Sequence, residues 1–123
     1  MSGKFLLDTN AIIYAINQRL ILPKAEYSLS IITEMELFSY PKLTQDESLS
    51  IKKLLDPFEI YNISNDIKNL TIKIRKTYGI KLPDSIICAT AIYYKKTIIS
   101  NDKQLSKIDN LDILTLEELC QKS

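Results

Sequence analysis

Apolar positions along the chain recur with two different periods, and the periods alternate. Lys4–Leu7 (KFLL) is a run of strand length, and the segment after it carries Ile12, Ile13 and Ile16 at helical spacing. The helix expected there takes Thr9 or Asn10 as its cap. Glu26–Ser30 predicts a second, weaker strand, with a helix following through Thr33–Phe38. Thr44 with Glu47 three residues on has the spacing of a capping box ahead of Leu49, Ile51, Leu54 and Leu55, and that helix should stop at Asp56-Pro57.

Glu59–Ile63 (EIYNI) predicts the third strand. Ser64 is placed to cap a helix over Asn65–Tyr78, in which Ile67, Leu70, Ile74 and Tyr78 share one face, and Gly79 suits its left-handed stop. Pro83 fits the first turn of the next helix, where its missing N–H would have had no partner. This helix, through Asp84–Ile92, is apolar nearly all round and should be central. Thr97–Ser100 predicts a fourth strand, Lys103–Ser106 a short helical turn, Leu111–Leu114 a fifth strand, and Thr115 with Glu118 a second capping box opening the terminal helix. Strands alternating with helices predict an α/β fold with a parallel sheet covered by helices. With 123 residues, two Gly and four Pro, the expectation is a single domain over 1–123 with little room for a linker.

Composition narrows the chemistry. Sixteen basic residues nearly balance 15 acidic ones, so the whole molecule does not advertise itself as a polyanion binder, although a local basic patch is compatible with the balance. Histidine is absent, which removes His-based acid–base catalysis, a Ser-His-Asp triad and His-type metal ligation. Cys88 and Cys120 show no CxxC spacing, so they are expected to be core or surface thiols rather than zinc or redox groups. The N-terminal apolar run is too short for a signal peptide and no segment approaches the roughly 18 apolar residues of a membrane helix. A soluble, cytoplasmic protein without a membrane partner is the expectation, and carboxylates must carry any chemistry.

Most acids sit where caps and helix dipoles favour them, at helix starts and turns. Four do not. Asp8 ends the first strand, Asp102 follows the fourth, Glu36 lies early in the helix after the second, and Asp84 opens the central apolar helix. In an open parallel sheet all four map to the carboxyl ends of the strands, where sites form. Each has an ordinary explanation of its own: Asp8 as a helix cap, Asp84 as a charge favoured by the dipole, Asp102 as a turn residue in Asn101-Asp102-Lys103, Glu36 as a solvated helix residue. Jointly they demand more. Two carboxylates about 6 Å apart repel by about 3 kcal/mol at an effective dielectric near 20. Four converging acids therefore call for a cation, and an all-oxygen donor set suits Mg²⁺ or Mn²⁺.

The ordered set "LLDTN" (6–10), "SIITEMEL" (30–37), "KLPDSIICATA" (81–91) and "IISNDKQL" (98–105) resembles the PIN-domain ribonucleases, and more narrowly the VapC-type toxins of toxin–antitoxin pairs. The resemblance covers essentially the whole chain. It implies a three-layer α/β/α sandwich with a central parallel sheet, and an acidic site at Asp8, Glu36, Asp84 and Asp102 holding Mg²⁺ or Mn²⁺. It also implies supporting polar roles for Asn10, Thr33 and Ser100, and leaves open whether Asn101 or Asp102 reaches the metal. Glu34 competes with Glu36, but about 200° of helical turn separates them, so both cannot point into one site; the spacing in "SIITEMEL" favours Glu36. The implied reaction is metal-assisted hydrolysis of RNA with one or two metals. The implied partners are an RNA substrate, a small cognate antitoxin and a second copy of the chain, the last meeting apolar surface at Ile13, Ile16, Leu37 and Phe38.

Phosphate contacts are expected from Lys73, Arg75, Lys76 and Lys81, or from Lys95 and Lys96. Three competing readings stand beside the toxin. A PIN nuclease for RNA processing is less favoured by the short chain. A phospho-acceptor receiver would need an acidic pair after the first strand, and only Asp66 is available as the acceptor. A catalytically dead PIN module would not need all four acids.

Overall fold

The computed structural model describes residues 3–121. Five strands, β1 (Lys4–Leu7), β2 (Glu26–Ser30), β3 (Glu59–Tyr61), β4 (Thr97–Ile99) and β5 (Ile113–Leu114), form one all-parallel sheet in the order β3-β2-β1-β4-β5. Six α-helices surround it: α1 (Thr9–Asn17), α2 (Ile31–Phe38), α3 (Gln45–Leu55), α4 (Asn65–Tyr78), α5 (Leu82–Tyr93) and α6 (Leu116–Gln121), with a 3-10 turn at Lys103–Lys107.

Both faces of the sheet are covered, which is why β1, β4 and β5 read as continuous apolar runs rather than alternating ones. Leu6 and Ile98 point to a core shared with Ile67 and Ile74 of α4 and Ile87, Cys88, Ala89 and Ala91 of α5. Their neighbours Leu7 and Ile99 point the other way, into a core with α1, α3 and α6 through Ile12, Ile51, Leu55, Leu116 and Leu119. The result is the three-layer α/β/α arrangement expected.

Several boundaries move for identifiable reasons. The cap of α1 is Asp8, not Thr9 or Asn10, because the Asp8 carboxylate accepts the Ala11 amide at 2.7 Å. Helix α2 starts at Ile31, since Ser30 caps it through the Ile32 amide. That cap ends β2 at Ser30, so edge strand β3 has nothing to pair with beyond the Ser30–Tyr61 register and stops short of Ile63. β4 ends at Ile99 opposite Leu7, and β5 pairs only with Ile98 and Ile99. Leu37, expected at the surface, is 1 % exposed and belongs to the second core. The capping boxes at Thr44/Glu47 and Thr115/Glu118 form with both reciprocal bonds, and Gly79 stops α4 at φ 69°. At that φ a residue with a Cβ is disfavoured.

The chain leaves β1 outward through β2 and β3, then returns across the sheet to β4 and β5. The order reverses between β1 and β4. That is the switch point at which an open parallel sheet has a crevice beyond its carboxyl ends.

Candidate functional site

Asp8 stands at that switch point. Its backbone N–H continues the β1–β4 ladder to the Ile99 carbonyl at 3.1 Å, so the residue is fixed to the sheet, while its side chain caps α1. It is 6 % exposed. Burial pushes the carboxyl above its ordinary value of 3.8, the charges of Asp84 and Asp102 push it further, and the Ser100 hydroxyl and Ala11 amide partly offset both by bonding the anion.

Asp84 lies in the first turn of α5, where no side chain caps the helix. Its carboxyl is also raised, first by desolvation and then by Asp102 and Glu36, with Lys81 acting the other way. These mutual repulsions bring together all four acids singled out in the sequence: Asp8 feels Asp84 and Asp102, and Asp84 feels Asp102 and Glu36. The crevice grades outward from buried Asp8 through partly buried Asp84 and Glu36 to exposed Asp102. Cys88, one turn along α5, is fully buried and faces the same negative field; burial and the charges of Asp84, Asp8 and Asp102 push its thiol up to about 12. It is an inert core thiol.

The supporting polar residues divide. Thr33 is fully buried, with its Oγ1 3.1 Å from Thr9 Oγ1. Thr9 Oγ1 in turn lies 2.6 Å from Glu36 Oε1. Thr9 has one hydroxyl proton, and the carboxylate is the stronger acceptor, so Thr33 is left to complete the chain of bonds that orients Glu36. Glu34 takes no part. Ser100 accepts the Asp102 amide at 3.1 Å while holding Asp8, so one hydroxyl links two of the acids. Asn101 is turned to structure: its Oδ1 accepts the Leu116 amide at the start of α6, 3.1 Å away. Asp102 caps the 3-10 turn through the Gln104 amide at 2.9 Å, and its charge is the one that Asp8 and Asp84 sense. Asn10 is exposed and makes no side-chain hydrogen bond among the described residues. Sequence reasoning missed Thr9. The signal was available, since a hydroxyl one residue after the strand-end acid lies on the first turn of α1, which packs against α2.

Four carboxylates that repel one another, with Lys81 as the nearby cation, offer the all-oxygen donors that hard divalent ions prefer. Among the described residues no three acidic or cysteine side chains stand as a ready cage. Closing around an ion therefore requires side-chain rotation among the outer acids, with Asp102 giving up its bond to the Gln104 amide if it turns inward.

The fold and site thus define a doubly wound α/β domain with an acidic crevice at its topological switch point. The PIN domain profile matches residues 5–111, and the chain belongs to the PIN domain family, whose nucleases hydrolyse nucleic acids. An uncharacterized protein of Archaeoglobus fulgidus is 35% identical over 57 residues, covering 46% of this chain and 90% of that protein. Among solved structures, a chain of DNA-bound VapBC from Salmonella typhimurium has a TM-score of 0.80 at 19% identity, covering 93% of this chain and 98% of that one. VapBC2 from Rickettsia felis, bound to a promoter DNA fragment, gives 0.77 at 20% identity over 91% of this chain and 98% of that one. A toxin–antitoxin complex from Klebsiella pneumoniae gives 0.72 at 28% identity over 90% and 96%. No helix among the described residues is long and apolar enough to cross a membrane.

Proposed function

We propose that this protein is a metal-dependent endoribonuclease and the toxin of a type II toxin–antitoxin pair, acting in the cytoplasm. The observation that carries the reading is the convergence of Asp8, Glu36, Asp84 and Asp102 at the switch point, with two of their carboxyls raised by burial and by one another. Membership of the PIN family and the fold shared with chains of VapBC and other toxin–antitoxin complexes support it.

Asp8, Glu36, Asp84 and Asp102 would hold Mg²⁺ or Mn²⁺. The ion's chemistry, when bound, is to lower the pKa of water and to neutralise charge on a phosphodiester. The chain's own residues do the rest. Asp8 is held at the sheet edge by the Ile99 carbonyl and the Ala11 amide, so the deepest acid cannot drift. Thr9 and Thr33 aim Glu36, and Ser100 keeps Asp8 and Asp102 in register. The exposure of Asp102 leaves the crevice open to a polymer. RNA cleavage that needs Mg²⁺ or Mn²⁺ is the expected result, and cleavage undiminished in excess EDTA would overturn the reading.

The partners follow from the same proposal. A small cognate antitoxin would cover the crevice and add a cationic side chain to acids that only Lys81 now offsets. A second copy of the chain would pack on Ile13, Ile16 and Phe38. A concentration-independent monomer in sedimentation would remove that dimer.

A further inference from the structure

The near-neutral charge of the chain conceals an uneven distribution. Seven of the 16 basic residues but only two of the 15 acidic ones fall within residues 65–96, so the α4–α5 hairpin carries net +5 and the remainder of the chain −4. One of those two acids is Asp84, which belongs to the site. The hairpin is antiparallel: three residues join Tyr78 to Leu82, and at the other end the Tyr93 hydroxyl lies 3.4 Å from Asp66 in the first turn of α4. Because the middle of α5, residues 85–91, is buried, α4 supplies most of the exposed face, and Lys68, Lys73, Arg75 and Lys76 all stand exposed on it. The hairpin therefore runs from the acids at the start of α5 to a different kind of surface at its end.

That surface is aromatic. Tyr61 and Tyr94 stack with ring centroids 3.8 Å apart and planes 15° from parallel. Tyr93 meets Tyr94 edge-on at 4.9 Å, and the Lys96 Nζ lies 5.9 Å from the Tyr61 ring centroid. Tyr93 is 44% exposed and Tyr94 37%. Between the tyrosines and Lys96 sits Lys95, held in the left-handed region at φ 56°, where α4 uses Gly79. The exposed Tyr93 ring, braced edge-on against the stacked Tyr61–Tyr94 pair and followed in the chain by Lys95 and Lys96, matches the chemistry that binds single-stranded nucleic acid: stacking for a base, lysines for phosphates.

Resting on the nuclease reading, we propose that the α4–α5 hairpin is the track for single-stranded RNA, with Tyr93 as a base-stacking platform and Lys95 and Lys96 as phosphate contacts remote from the acids. Tyr93 lies nine residues after Asp84 on the helix, a rise of about 14 Å. The platform engages only a strand long enough to span that distance.

The test is binding and cleavage by the full chain. A fluorescent oligoadenylate of about 12 nucleotides, within the ~4–16-nucleotide range of single-strand sites, is titrated in EDTA against the native protein, Tyr93→Phe, Tyr93→Ala and Lys95→Gly. Tyr93→Phe retains native affinity, because the ring stays. Tyr93→Ala binds roughly 5- to 150-fold more weakly, the loss of one stacked base. Lys95→Gly relaxes the left-handed position, so it folds at least as readily, and it flattens the salt dependence of log K by about 0.7. With Mn²⁺, Tyr93→Ala and Lys95→Gly raise KM for the long RNA while kcat holds, and cleavage of a dinucleotide is unchanged. Native affinity in both Tyr93→Ala and Lys95→Gly overturns the track and leaves the patch to a protein partner. If the native chain cuts no RNA with Mn²⁺, the nuclease reading fails, and the titration in EDTA still decides the track.

Discussion

Replacing Asp84 with Asn separates a charge held for function from one held for stability. The amide keeps the shape of the side chain but removes the negative charge, which two other acids oppose and burial disfavours. Coulomb repulsion from one carboxylate about 6 Å away ranges from about 0.7 kcal/mol in bulk water to about 3 kcal/mol at an effective dielectric near 20. Asp84 is only partly buried, which favours the lower half of that range. Against this stand the favourable helix-dipole contribution, about 0.3–1 kcal/mol, and the attraction of Lys81. The net expectation in metal-free buffer at neutral pH is an Asp84→Asn protein as stable as the native one or more stable by about 1 kcal/mol.

The pH dependence gives the charge its signature. A carboxyl raised in the folded state binds its proton more tightly there than in the unfolded chain, so its contribution to stability falls as pH rises from the ordinary value of 3.8 through the higher folded one. The advantage of Asp84→Asn should therefore vanish below that window and reach its full size above it. Urea unfolding in EDTA at a series of pH values, beside RNA cleavage with Mn²⁺, reads both quantities. A variant destabilised by more than about 1 kcal/mol at pH 7 that still cuts RNA at near the native rate would refute the argument and take Asp84 out of the site.

Mg²⁺ should stabilise the native protein against urea by about 2.7 kcal/mol at 100 times Kd; an equal gain in Asp8→Asn would place the ion elsewhere. Thr9→Val removes the hydroxyl that orients Glu36 and should lower cleavage roughly 10- to 100-fold, the range for second-sphere partners of a metal ligand; an unchanged rate would mean that Glu36 needs no such support. Asn101→Ala should cost about 1 kcal/mol through the lost bond to the Leu116 amide and leave cleavage intact, whereas loss of activity in a stable Asn101→Ala protein would return that residue to the site. Cys88, with its thiol pushed up to about 12, should resist a thiol reagent at pH 8 until the chain unfolds, and prompt modification of it in the folded protein would contradict the buried, anionic setting described for it.

Much of the architecture was legible because long elements announce themselves through pattern. The α4 stripe of Ile67, Leu70, Ile74 and Tyr78, the two capping boxes and the Gly79 stop all depend on interactions within a few residues, and all formed as read. Strand ends were harder because pairing sets them. Nothing within EIYNI says that β3 must stop at Tyr61; that follows from Ser30 turning to cap α2 on the neighbouring strand. The same distinction runs through the site. The four acids stood out because each broke a local expectation, and the ordered motifs made them a set. Thr9 was missed, and the choice between Asn101 and Asp102 stayed open, because the bonds of Thr9 and Asn101 reach partners 27 and 15 residues away, which no local pattern specifies. Leu37 looked like surface because helix α2 has apolar residues on more than one side, Ile32 facing the first core and Leu37 the second.

Asp8 serves the sheet, a helix and the crevice with a single side chain, and this limits the ways in which the protein can be silenced. A substitution there that cannot accept the Ala11 amide, such as Ala or Val, uncaps α1, at a cost of about 0.5–2 kcal/mol. It thereby lowers the amount of folded protein along with its activity. Asn keeps the cap and deletes only the charge. If Asp8 holds the metal as proposed, Asn there gives an inert copy of native shape, still able to occupy whatever surface the active protein occupies and to titrate whatever binds it. On the proposed function, loss of activity through Asp8→Asn leaves a decoy of native shape, whereas loss through Asp8→Ala or Asp8→Val also lowers the share of folded protein.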